Sequence, residues 1–133
     1  MKKLIILSIV FLNSFNISAQ CYIPEVWVGQ TGSNMTVVLT PDYLSSLPEV
    51  SEVSEEAYIV AFSESGMVVG SVYFYDDGTS NLSTGIGTIG VWGNDSQTTE
   101  IDGALIGDTI TLQLVDGETL YDLTMPEVIT YST

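Results

Sequence analysis

The residues that could do chemistry in this chain are almost all oxygen acids. Its 133 residues hold 17 Asp and Glu, no His, and two basic residues, Lys2 and Lys3. Every formally charged side chain after Lys3 is therefore negative. A serine nucleophile needs a nearby base, and no His or Lys follows Lys3 to serve as one. The single cysteine, Cys21, has no histidine to activate it and no second cysteine for an intrachain disulfide. Zinc sites built from His and Cys clusters fall to the same composition, and phosphoryl transfer lacks its Lys or Arg clamp. Two chemistries remain open to acids alone. A pair of carboxylates can hydrolyse a glycosidic bond. Carboxylates with Asn and backbone carbonyls can hold calcium.

The densest oxygen set is Asn94, Asp95, Glu100 and Asp102, four side chains in nine residues of a segment ending at Gly103. Asp76 and Asp77, followed by Asn81, form a second set. Neither follows EF-hand spacing, and both could be turns in which Asn and Asp bond their own backbone. Calcium is the one cofactor this composition invites, because no protein cation can neutralise the acids. Among the aromatics, Tyr73, Tyr75 and Trp92 lie on predicted strands. Tyr73 and Tyr75 share one face and Phe74 takes the other. With Phe74 inside, the tyrosines would make an exposed platform for a sugar ring, although strand aromatics more often serve burial. Gly85 to Gly90 spells G-x-G-x-x-G, but Val91-Trp92-Gly93-Asn94 follows as strand and turn. A dinucleotide site needs a helix there.

The elements that must position these groups follow a period of two. Ala57 to Ser63 and Met67 to Tyr75 are rich in β-formers around a Glu64-Ser65-Gly66 turn. Thr109 to Leu114 alternates strictly, with Ile110, Leu112 and Leu114 on the core side. Asp116-Gly117 is a hairpin signal and Glu118 to Thr124 the return strand. Met35 to Leu39, Thr88 to Trp92 and Val128 to Tyr131 are further strands, and Glu25 to Val28 a weaker one. One helical turn is expected near residues 41–47, with Thr40 as N-cap, Pro41 at the first position and Tyr43, Leu44 and Leu47 as its buried stripe. Pro48 to Glu56 reads as a solvated loop. Seven or eight short strands predict an all-β, antiparallel β-sandwich, immunoglobulin-like or jelly-roll-like.

Residues 1–19 read as a signal peptide: Lys2-Lys3, the apolar run Leu4 to Leu12, and small residues before a cut after Ala19. That run is shorter than the roughly 20 residues a membrane span needs. Gln20 precedes Cys21 where a lipoprotein signal would place a small residue, so lipidation is disfavoured. Residues 20–133 then form one domain that is secreted or held at the cell surface, with no integral membrane segment after cleavage. Its charge repels nucleic acid and anionic lipid, which leaves neutral or cationic partners such as a polysaccharide or another surface protein.

The run from Ala57 to Ser63, continuing through Gly66-Met-Val-Val-Gly-Ser-Val, Val91-Trp-Gly-Asn-Asp and Glu100 to Gly117, resembles a recurrent β-rich module. That module belongs to large secreted and cell-surface proteins of Gram-negative bacteria that use the type IX secretion route. The resemblance spans about Ala57 to Gly117 and carries no catalytic motif. It implies a structural or binding role. The expectation is thus a non-enzymatic extracellular binding or structural module, with calcium as the candidate stabilising ion. A carboxylate-dependent glycoside hydrolase, a glycan-binding module, and a subunit of a surface fibre or virion are the alternatives.

Overall fold

The computed structural model describes residues 22–76, 79–80, 82 and 87–133. The expected signal peptide, Cys21, Asp77, Asn81, Gly85 and Ile86 lie outside the described residues. The described chain forms β1 (Asn34–Leu39), α1 (Pro41–Ser45), β2 (Ala57–Phe62), β3 (Val68–Tyr73), β4 (Tyr75–Asp76), β5 (Thr79–Ser80), β6 (Gly87–Trp92), β7 (Thr109–Asp116), β8 (Thr119–Leu123) and β9 (Ile129–Thr130). All ladders between strands are antiparallel. One layer is β1 paired with β6, and the other has the order β3-β2-β7-β8, with β9 also on β7. A small β4–β5 ribbon stands apart. The fold is the all-β antiparallel sandwich that the alternation predicts.

Register explains why the layers face each other. Ile59 sits across from Leu114, and Ala61 across from Leu112. These side chains join Val37, Leu39, Ile89 and Val91 of the other layer in one core cluster. Ile59, Leu112 and Leu114 are almost fully buried. Each contributes roughly 1.5–3 kcal/mol by leaving water. The layers touch most closely at two glycines, because a side chain on Gly70 would run into the Gly90 backbone carbonyl. Gly87 likewise leaves no room beside Leu82. The glycines of the G-x-G-x-x-G string that are described therefore lie in β6 and serve packing, with no helix after them.

Glu25 to Val28, expected as a weak strand, forms no ladder. Residues 22–33 instead cross the outer face of the larger sheet as a strap. The Tyr58 hydroxyl donates to the Pro24 carbonyl (2.8 Å), and the Trp27 N–H donates to Ser71 Oγ (2.8 Å). Pro24 is fully buried, and Val60 and Val115 are buried although both point away from the core cluster. The strap then joins the smaller layer, where the Gly93 N–H donates to the Ser33 carbonyl (2.9 Å) and Thr31 Oγ1 donates to the Gly93 carbonyl.

Helix α1 begins as its sequence dictates: Thr40 Oγ1 accepts from the Tyr43 N–H (3.3 Å) and Pro41 takes the first position. It has five residues and none is fully buried. Tyr43, Leu44 and Leu47 are half-buried against the core, so the expected stripe covers its rim. A helix this short gains little from its own hydrogen bonds and is held by those contacts.

Candidate functional site

The sequence-predicted aromatics are sent to three places. The chain breaks at buried Phe74, which ends β3 and lets β4 begin at Tyr75. Tyr73 stays on the outer sheet face, where its ring meets Tyr58 edge-on (centroids 5.7 Å apart, planes at 76°). Burial, then the Glu55 and Asp76 carboxylates, push the Tyr73 hydroxyl above its usual range. Burial, then Tyr73 and Glu25, do the same to Tyr58. Trp92 is half-buried on the outward side of β6, its indole near Gly90. Tyr75 turns to the α1 side and packs against the core cluster. No common platform of Tyr73, Tyr75 and Trp92 forms.

The predicted acidic loop is only partly gathered. Asn94 Oδ1 accepts from the Asp102 N–H (3.0 Å), which brings the two ends of the segment together. Asp95 Oδ1 turns back to accept from the Gln97 N–H (2.8 Å). Asp102 Oδ2 accepts from Thr98 Oγ1 (3.2 Å). Asp102 Oδ1 is buried with no hydrogen-bond partner among the described residues. Glu100 is exposed. Among the described residues no three Asp, Glu, Cys or His side chains converge on one point. In the second set, Asp76 lies beside Tyr73, while Asp77 falls outside the described residues.

One concavity was not legible as a site in sequence. It is a groove of about 540 Å³ between α1 and the β3–β4 break. Leu44, Leu47, Val50 and Tyr75 supply its apolar lining, and Glu49 and Glu52 are the charged residues among those that line it. Both glutamates are exposed, and the apolar side chains between them are half-buried. The loop of residues 48–56 is largely exposed, as expected, and is tied back to the strands beside the groove. The Glu55 N–H donates to the Tyr75 carbonyl (2.9 Å), and the Phe74 N–H donates to the Ala57 carbonyl (3.0 Å). Glu55 adopts φ 63°, a left-handed conformation uncommon for a residue with a side chain. A shallower concavity along Phe62, Thr111 and Gln113 has one carboxylate, Glu64.

The groove can do two things chemically. An aromatic ring with aliphatic neighbours accepts the apolar face of a ring or chain. Two rim carboxylates accept hydrogen bonds from hydroxyls and charge-assisted ones from amines. No helix among the described residues is long and apolar enough to cross a membrane. Comparison with protein-family models, curated proteins and solved structures finds no match to the chain.

Proposed function

We propose that this domain is a non-enzymatic extracellular contact module whose α1–Tyr75 groove holds a neutral or cationic glycan. One observation carries the reading: Tyr75 forms part of an apolar lining at which the charged groups are the carboxylates Glu49 and Glu52. A sugar ring stacked on Tyr75 would present hydroxyl or amino groups to those acids, and an acidic sugar would be repelled. The signal-peptide pattern of residues 1–19 supports a module exported across a membrane, and the negative charge supports a partner whose surface is neutral or basic. Titration calorimetry with glucosamine oligomers, cello-oligomers and galacturonate oligomers tests the ranking. Glucosamine oligomers should bind tightest and galacturonate oligomers not at all. Equal binding of all three, or tightest binding of the acidic one, removes the groove from the account.

A second reading, glycoside hydrolysis, draws on the presence of two carboxylates, Glu49 and Glu52, along one groove, since such hydrolysis uses a pair of carboxylates. The same oligomers separate the readings, since a contact module returns them intact.

Calcium enters through one atom. Asp102 Oδ1 is buried without a partner among the described residues, a state that costs on the order of 1–3 kcal/mol or more for a charged group. An ion reaching it with Asn94 and water would remove that cost. CaCl₂ should therefore raise the melting temperature above that in NaCl of equal ionic strength, by about 1 kcal/mol or more in stability once calcium exceeds its dissociation constant severalfold. Asp102→Asn should abolish the excess. Identical melting curves in the two salts would withdraw calcium from the account.

A further inference from the structure

The sheet edges are guarded unequally. Strand β8 carries Asp122 and is preceded by Glu118, and β9 has two residues. Charge and shortness are both ways to keep an edge from pairing. Strand β3 has the strap bonded to Ser71 and the β6 backbone against Gly70. Strand β6, the other edge of the two-stranded layer, is bridged at its end, where the Ala104 N–H donates to the Trp92 carbonyl and the Asn94 N–H to the Ala104 carbonyl. Strand β1 has none of these. It is six residues long, Asn-Met-Thr-Val-Val-Leu, pairs with β6 alone, and holds no charge and no proline.

Its pairing parity shows which groups are free. The register Asn34–Trp92 extends back to Ser33 and Gly93, where the Gly93 N–H donates to the Ser33 carbonyl. Hydrogen-bonded and non-bonded pairs alternate in an antiparallel ladder. Met35, Val37 and Leu39 therefore turn their backbone groups to β6, and Asn34, Thr36 and Val38 turn theirs to the open side. Beyond the β1–β6 ladder, no hydrogen bond among the described residues reaches these three. Thr36 is exposed and Val38 is 58% exposed.

We infer that the open edge of β1 accepts an extended segment of a partner protein as an added antiparallel or parallel strand, with Lys or Arg flanking that segment. Main-chain bonds supply affinity in such pairing, and side chains at alternate positions supply selectivity. The flanking charge follows from complementarity. All the charge after Lys3 is negative, so basic flanks speed and hold the encounter, whereas a second copy of this chain brings like charge. The inference rests on the contact-module reading, yet no residue of β1 lines the Tyr75 groove, so the two sites fail independently.

The test is an amide chemical-shift titration of the isotope-labelled mature protein. The probes are an alternating Thr-Val peptide with lysines at both ends and its glutamate-ended twin. The lysine-ended peptide should shift the amides of Asn34, Thr36 and Val38 and bind at least roughly tenfold tighter than its twin. Val38→Pro removes an outward N–H without breaking the β1–β6 ladder, and should weaken binding about fivefold or more. Val38→Thr keeps that N–H and should bind as the natural chain does. Should Val38→Pro fail to fold, the shift map of the natural chain still decides. Shifts confined to another surface, equal affinity for the two peptides, or self-association that fills this edge with a second copy would each overturn the inference. Glucosamine-oligomer binding should be unchanged in Val38→Pro, which separates failure of the edge from failure of the groove.

Discussion

Replacing Gly70 with alanine is expected to cost about 3 kcal/mol of stability, near the upper end of the range for overpacked sites. The new methyl group would run into the Gly90 carbonyl, which is backbone in the opposing layer and has no rotamer to escape through. In a domain of this size that loss lowers the melting temperature by on the order of 10 °C. Gly66→Ala is the matched control. Gly66 has φ 82°, and an added methyl would meet no atom within contact range. Its cost is the left-handed conformation alone, roughly 1–2 kcal/mol. If Gly70→Ala melts at or above the Gly66→Ala temperature, the two layers do not approach as described.

Tyr75→Ala should weaken the groove's affinity for glucosamine oligomers ten- to thirty-fold, equivalent to roughly 1.4–2 kcal/mol. Tyr75 is the less buried of the two aromatics, Phe74 and Tyr75, that line the groove, and it also packs against the core cluster, so some stability is lost as well. Tyr75→Phe separates the effects. It keeps the ring and should keep most of the affinity. Tyr73→Ala is a second control, because Tyr73 is engaged with Tyr58 on the other side of the sheet and should leave groove binding unchanged. Loss of affinity in Tyr73→Ala with none in Tyr75→Ala would relocate the contact to the outer face.

The strands were legible because each carries its own signal. Thr109 to Leu114 alternates in sequence and in burial alike. Asp116-Gly117 makes the expected turn, with Gly117 at φ 57°. The strap was not legible, because its bonds run to Tyr58 and Ser71, far along the chain, and it has no ladder to impose a period. The groove was missed for a related reason. Pro48 to Glu56 read as a solvated loop, and most of it is exposed, but the backbone bond from Glu55 to Tyr75 that ties it beside the groove has no signature in the sequence. Val50, set between Glu49 and Glu52 near Pro48, was the one local hint that this loop had an inner side. The acidic set at 94–102 shows the converse. Its composition suggested convergence, while the loop spends Asp95 on its own backbone and leaves one oxygen of Asp102 unmatched.

The central claim is that this acid-only domain works by holding a partner, with Glu49 and Glu52 as acceptors rather than as a catalytic pair. Its most direct test is to incubate the mature protein with glucosamine and cello-oligomers, measure binding by calorimetry, and weigh the recovered oligomers by mass spectrometry. The account predicts saturable binding that weakens in Glu49→Gln and Glu52→Gln, with every oligomer recovered at its starting length. Shortened oligomers whose appearance stops in either variant would contradict it.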